Sequence, residues 1–444
     1  MGHITLKQNY EKLRKRLDGN AIGAPAHPAI YDILSIIFST DEAELCARMP
    51  YGFSSTRKLA RILKVREEEL LLRLEVMADK GILFDFSRKG RSYWYLNPLV
   101  IGFFEFTMMR VRDNVDQHRL AHSMYEYMFE DPALAFIKEV GVNGETQLFR
   151  TLVHEDQLPS DYVEVLDWER ATSLIDEASA WAVGLCHCRH IAEHRGSPCT
   201  QSAAGLANPM EICLSLGEPA NYFIRREMAR KIDKSEALEI MIGAREAGLV
   251  QLADNVQKRP NFMCNCCKCC CEFLKGYREL GDRSFTLTSN YLPVVDDSAC
   301  TRCGVCEQAC PVEAISVRQR DGSNGSGKKR LSHEVVIDKD LCIGCGVCAT
   351  SCSRGAITMS PLKQRIHTPE TTLERVMLQA VERGKLANLL FDDPGNVTHT
   401  ALRLFFKVLL SMPPAKQLLA SKQLKSRFVD FLIRGAKGRP GADT

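Results

Sequence analysis

Apolar residues recur at helical spacing through the first eighty positions, then give way to short runs bounded by glycine and charge. A charged segment at 7–16 reads as a short helix that ends in a Gly, Ala and Pro-containing linker by residue 26. An apolar helix is predicted over 30–38, and Thr40 with Asp41, Glu42 and Glu44 marks the capped, acidic start of the next. Residues 54–63 supply a third helix. Residues 65–80 supply a fourth, with Leu70, Leu71, Leu74 and Met77 on one face and Gly81 as its C-cap. Two strands follow, 82–86 and 92–96, joined by the basic turn 87–91.

Beyond residue 97 the pattern reads as mainly helical, and Phe103, Phe104, Phe106, Tyr125, Tyr127, Phe129, Phe149 and Trp168 are expected to pack in a core. His118, His122 and His154 stand without a neighbouring cysteine and are read as structural. A further helix is expected at 235–247 before Gly248. After Pro361 come amphipathic helices at 373–388, 401–412 and 415–433, the second ended by Pro413-Pro414. Phe405, Phe406, Leu409 and Leu410 are expected to be covered.

The fold class is therefore α+β and multidomain. The expected order is an N-terminal helix and linker (1–26), a winged-helix-like domain (27–105), a helical connector (106–180), a helical cysteine-rich domain (181–285), a ferredoxin-like dicluster domain (286–362) and a helical basic extension (363–444). Helices followed by a hairpin are the outline of a winged helix-turn-helix, which raises DNA binding. The helix that would enter the groove carries Glu67, Glu68, Glu69, Glu75 and Asp79 against Arg66, Arg73 and Lys80, and phosphate repels such a surface. DNA is not the expected partner; a docking or structural use of this unit is favoured.

Charge changes the picture little. The formal net charge of +3 argues for neither nucleic acid nor membrane, although residues 361–444 hold 14 Lys and Arg against 7 Asp and Glu. That tail suits an acidic redox partner, a peripheral membrane contact, or a lid on the preceding domain. No apolar run approaches the roughly 18 residues of a membrane span. The chain opens Met1-Gly-His-Ile without an apolar signal core. Its 19 cysteines are thus expected to be metal ligands in a reducing cytoplasm rather than disulfides.

Eight of them lie in two matching runs, Cys300-x2-Cys303-x2-Cys306-x3-Cys310 and Cys342-x2-Cys345-x2-Cys348-x3-Cys352. Three thiolates on one tight loop cap three corners of an iron-sulfur cube, and the fourth Cys of each run ligates the other cluster. One [4Fe-4S] cluster is assigned to Cys300, Cys303, Cys306 and Cys352, the other to Cys342, Cys345, Cys348 and Cys310. Ala314-Ile315 and Ala356-Ile357 follow at the same offset, the mark of an internal repeat. The stretch resembles the dicluster ferredoxin family, with two departures: Ser353 stands in place of a second proline, and residues 318–330 form a Gly, Ser and Lys-rich insertion.

Ten more cysteines lie upstream: Cys186, Cys188, Cys199, Cys213, Cys264, Cys266, Cys267, Cys269, Cys270 and Cys271. One zinc needs four donors, so the surplus favours at least one additional iron-sulfur cluster of uncommon type, with zinc as the alternative. Spacing does not select its ligands. His187, His190 and His194 are reserve donors, and Arg189 and Lys268 are candidate positive charges beside it.

The motifs Cys186-His-Cys-Arg189, Cys199, Cys213-Leu-Ser-Leu-Gly217, Glu246-Ala-Gly-Leu249, Asn255 and Cys264-Asn-Cys-Cys-Lys-Cys-Cys-Cys271, followed by the dicluster unit, resemble a family of cytosolic iron-sulfur proteins of anaerobic bacteria. The resemblance covers most of residues 27–360 and implies electron transfer in anaerobic metabolism. The expected function is an electron carrier or electron-entry subunit for a partner oxidoreductase, served by a separate reductase because no nucleotide or flavin fingerprint is present. The alternatives are a redox-responsive DNA-binding regulator and a reductase that binds substrate at the middle cluster.

Overall fold

Ser39 accepts a hydrogen bond from the Glu42 amide, Glu42 returns one to the Ser39 amide, and this capping box starts the helix Thr40–Ala47. The structure, a computed structural model, describes residues 2–130, 136–141, 146–158, 167–203, 208–280, 286–320, 332–363, 365–393, 395–413 and 422–436. Around that helix pack Gly2–Asp18, Pro28–Ile37, Thr56–Leu63 and Glu67–Asp79, which bury Leu13, Ile30, Leu59, Leu70 and Leu74. Strands β1 (Ser54–Ser55), β2 (Leu83–Arg88) and β3 (Arg91–Leu96) form an antiparallel sheet of order β1-β3-β2. The expected five-residue link contracts to Lys89-Gly90, both at positive φ as a two-residue hairpin turn requires.

The middle of the chain corrects the sequence reading. Residues 106–180 and 181–285 are not purely helical; they share a seven-stranded sheet. Its strands are β4 (Phe149–Leu152), β5 (Trp181–Leu185), β6 (Glu211–Leu216), β7 (Arg230–Ile232), β8 (Val250–Asp254), β9 (Phe262–Cys266) and β10 (Thr286–Leu287), in the order β10-β4-β8-β9-β6-β5-β7. All neighbours are antiparallel except β10 and β4. One face carries Val183, Leu214 and Met263 against the helices Ala171–Glu177 and Lys234–Glu246. Because side chains alternate along a strand, Cys213, Cys264 and Cys266 project from the opposite face.

The strands after β10 form two antiparallel pairs: β11 (Tyr291–Val295) with β14 (Ile357–Pro361), and β12 (Ile315–Arg320) with β13 (Ser332–Ile337). The expected insertion is in part strand, Arg318 to Arg320 belonging to β12, while 321–330 lies outside the described residues. One hydrophobic core runs from Leu13 of the first helix through the cluster loops to Met359.

The helix expected at 373–388 breaks into Thr372–Glu382 and Leu386–Leu390, with Gly384 at positive φ between them. Helices Val397–Ser411 and Lys422–Ala436 follow; residues 415–421 of the third expected helix lie outside the described residues. Phe406 meets Phe391 edge to face and Leu410 packs inward, but Phe405 and Leu409 are exposed, contrary to expectation. Among the described residues no helix is long and apolar enough to cross a membrane.

Candidate metal centres

The two cysteine runs fold as copies of one another. Gly304 and Gly346, at φ 78° and 83°, cap the short helices Val305–Ala309 and Val347–Thr350, which carry Cys306 and Cys348. Ahead of each run the Cys300 and Cys342 amides donate to the carbonyls of Asp296 and Asp338. The amides of those same aspartates donate to Ala356 and Ala314, the alanines that follow the opposite run. Each half is thus laced to the other.

The lacing sets Cys310 near the second run. Cys342, Cys345 and Cys348 are pushed up by burial first, and the field of Cys310 adds to the rise of each. Burial and its neighbours Cys300 and Cys303 likewise raise Cys306. Cys352 follows the second short helix, on the segment whose Ala356 holds Asp296. The sets differ in depth: Cys310, Cys342, Cys345 and Cys348 are buried, whereas Cys303 is exposed. Among the described residues no three of these thiols lie within 4.8 Å of one another. Backbone amides also point at sulfur, Ala314 N to Cys310 Sγ at 3.2 Å and Gly344 N to Cys342 Sγ at 3.4 Å, as cluster ligands require. These residues fit [4Fe-4S] clusters.

The upstream ten divide into six and four. Cys186 caps the helix His187–His194 at the end of β5, with Cys188 in its first turn; Cys271 precedes the helix Glu272–Leu280. Register supplies the other three, since Leu214 opposite Met263 sets Cys213 beside Cys264 on the thiol face, and Cys266 lies two residues further along β9. Each of the six has two of the others as its strongest neighbours, in a closed circuit: Cys186, Cys188, Cys271, Cys266, Cys264, Cys213 and back to Cys186. The Cys264 thiol is pulled to about 5 by Cys213 and Cys266, and Cys186 and Cys271 are likewise lowered by their two neighbours. Cys188, Cys213 and Cys266 are held up by theirs. Six neighbouring thiols cannot all ionise without a cation to share.

The remaining four, Cys199, Cys267, Cys269 and Cys270, have all their sulfurs within 4.8 Å of one another. Cys199 lies 3.6 Å from Cys267 and 3.5 Å from Cys269, and Cys269 is 3.7 Å from Cys270. The turn is fixed by Lys268 N donating to Gln201 Oε1 at 2.8 Å and Cys270 N to Cys267 Sγ at 3.4 Å.

Arg189 sits between the groups. It is buried, and its guanidinium donates to the Pro209 carbonyl. Burial opposes its charge, but the thiols of Cys267, Cys186 and Cys199 more than compensate and hold it protonated. Lys268 is instead partly exposed and pairs with Glu313 of the dicluster unit at 3.3 Å. His187 Nε2 lies 3.2 Å from Cys188 Sγ, and His187, Cys188 and Glu272 converge. Burial raises Glu272 to about 7 and pushes Glu105 up as well. Of the other reserve donors, His190 bonds the Met108 carbonyl at 2.8 Å and His194 at 3.1 Å. Cys46, the nineteenth cysteine, is an inert core residue whose thiol burial pushes far up.

A cavity of about 1930 Å3 reaches the six-thiol circuit. Glu105, Phe106, Asn265, Phe262 and Phe273 share its wall with Cys186, Cys188, Cys213, Cys264, Cys266 and Cys271. Facing it, Cys186, Cys213, Cys264 and Cys266 remain only half-buried deep within the fold.

Three contacts invisible to motif reading join the middle sheet to the dicluster unit. Arg278 donates to Pro311 O and Lys268 O, both at 2.9 Å, and so ties the residue after Cys310 to the four-thiol turn. Tyr277 donates to Leu341 O at 3.0 Å. The His154 amide donates to Cys345 O at 3.0 Å. Nothing in the local sequence around Arg278 or Glu105 marks either residue.

Residues 299–356 match the family described as the 4Fe-4S dicluster domain. No curated protein and no solved structure matched the chain. The match assigns iron-sulfur chemistry to this stretch.

Proposed function

We propose that the chain carries electrons from a partner's one-electron donor, through its dicluster unit, to the thiol centres of the middle sheet. [4Fe-4S] clusters bound by the eight dicluster cysteines would supply the one-electron carriage. Exposed Cys303 puts the Cys300, Cys303, Cys306 and Cys352 set at the entry side. Buried Cys310, Cys342, Cys345 and Cys348 would relay to the middle, to which Pro311 and Cys345 are hydrogen-bonded. The observation that carries the reading is Arg278, whose two hydrogen bonds fasten the Cys310-Pro311 segment to the Lys268 turn. Cys186 to Cys271 of the six-thiol circuit would hold an additional, polynuclear centre. A separate reductase of anaerobic metabolism, in a reducing cytoplasm, is the expected source of electrons.

The test is reduction of the middle centre in the full-length protein. A low-potential protein donor should reduce it in the native chain and fail in Cys345→Ala, while a small-molecule reductant still succeeds. Equal reduction of both proteins by the protein donor would contradict the proposal.

A second reading, a reductase whose substrate meets the six-thiol centre, is favoured by the cavity that ends on these thiols. The N-terminal unit, with its helices and β1-β3-β2 sheet, has a winged-helix outline, but its use as a DNA reader gains no support. Arg226 of the middle domain pairs with Glu75 at 2.7 Å, Asp79 at 2.8 Å and Asp85 at 2.9 Å, so this unit is docked through its acidic helix.

A further inference from the structure

Among the described residues, Cys199, Cys267, Cys269 and Cys270 are the one all-cysteine group of three or more whose sulfurs all lie within 4.8 Å of one another. In a tetrahedral site a metal–sulfur bond of about 2.3 Å fixes the sulfur–sulfur edge at about 3.8 Å. The three closest pairs among Cys199, Cys267, Cys269 and Cys270 are 3.5, 3.6 and 3.7 Å apart, and no pair exceeds 4.8 Å. An inorganic cube at the centre would hold its thiolates much farther apart. Among the described residues no three of the dicluster thiols lie within 4.8 Å of one another. We infer that Cys199, Cys267, Cys269 and Cys270 hold a single tetrahedral metal ion, zinc or iron, with no inorganic sulfide.

The surroundings suit such an ion. Four thiolates round a divalent cation leave two negative charges, and buried Arg189, whose Nε and Nη2 have no oxygen or nitrogen partner, faces Cys267 and Cys199. The Cys270 amide donates to Cys267 Sγ at 3.4 Å, the amide-to-thiolate bond that orients a metal ligand. Cys267 and Cys270 are buried while Cys269 reaches the surface, so the ion would close the Cys267–Cys270 turn over the loop bearing Cys199. That turn also carries the Lys268 carbonyl held by Arg278, which gives the ion a structural place at the joint with the dicluster unit. The six-thiol circuit remains a separate centre, and the inference does not depend on the electron-transfer reading.

The test uses the full chain purified without air. X-ray absorption at the zinc edge should show one site with four sulfurs at about 2.3 Å and no metal neighbour; if the ion is iron, the Mössbauer spectrum should show one mononuclear tetrathiolate component apart from the cluster irons. Cys269→Ser, which alters only the exposed ligand, should lower the metal content by about one ion per chain. Acid-labile sulfide and the dicluster paramagnetic signals should be unchanged. Loss of sulfide together with several irons in Cys269→Ser would overturn the inference, as would unchanged metal content or a short metal–metal distance at the native site. Should Cys269→Ser fail to fold, the native spectrum alone decides. Loss of the dicluster signals in the native protein would count against the proposed function and leave this site standing.

Discussion

His154 Nδ1 lies 2.8 Å from the hydroxyl of Thr350, at the end of the short helix that carries Cys348. Its Nε2 lies 2.9 Å from the Leu249 carbonyl, which can only accept, so Nε2 holds the proton and Nδ1 receives the Thr350 hydroxyl. A histidine read from sequence as structural is thus the joint between β8's approach and the second cluster loop.

Burial, followed by the field of Arg245, holds this imidazole at about 4, opposed by the bond to Leu249. The unfolded chain protonates near 6.5 and the folded chain refuses that proton. His154 should therefore contribute no pH dependence above about 6.5, and stability should fall as pH drops from there towards 4, by up to the order of 3 kcal/mol. Urea midpoints at pH 7 and pH 5, without air, should show this loss in the native chain and a smaller one in His154→Gln.

The expected crosswise ligand sets make a spectroscopic prediction. Cys310→Ala should remove the same paramagnetic signal as Cys345→Ala, although Cys310 belongs to the other run, and Cys303→Ala should remove the second signal. If Cys310→Ala and Cys303→Ala erase the same signal instead, each run holds its own cluster.

Two glycines at similar backbone angles should respond very differently. A Cβ on Gly344 (φ 66°) would come within 2.2 Å of the Tyr291 carbonyl oxygen, and Gly344 also donates its amide to Cys342. Gly355 (φ 61°) has nothing within 4 Å. Gly355→Ala should cost only the left-handed backbone term of about 1–2 kcal/mol. Gly344→Ala should cost well over 3 kcal/mol or prevent cluster assembly, because backbone must move. Iron content and thermal midpoint of the two variants provide the comparison.

Arg278→Ala should leave two carbonyls without their donor and cost about 1–3 kcal/mol for each that stays buried. Its more telling effect should be kinetic, a slower transfer from the dicluster unit to the middle centre with both still assembled. Rapid-mixing reduction followed by freeze-quench spectra measures it.

The dicluster motif was legible because its ligands are local: three thiols on one loop, a fixed offset to the fourth, and the repeat at Ala314 and Ala356. The middle centres were legible only as an excess of cysteine. Their partition depends on register between strands fifty residues apart, where Leu214 meets Met263 and so sets Cys213 beside Cys264. The strands β5 to β9 escaped notice because each is only three to six residues long, and β5, β6 and β9 carry glycine or cysteine where β-branched residues would mark a strand. Glu105 joins the cavity from eighty residues before Cys186, a contact that only tertiary packing creates. Phe405 was expected inside because aromatic clustering suggests a core; the helix presents it outward while its neighbour Phe406 packs on Phe391.

Iron and acid-labile sulfide, counted on the full chain purified without air and followed by paramagnetic spectra after dithionite, test the central claim most directly. The expected result is a brown protein with at least about eight irons and eight sulfides per chain and two interacting reduced [4Fe-4S] signals. A colourless protein with zinc in place of iron at Cys300 to Cys352, unreduced by dithionite, would contradict it.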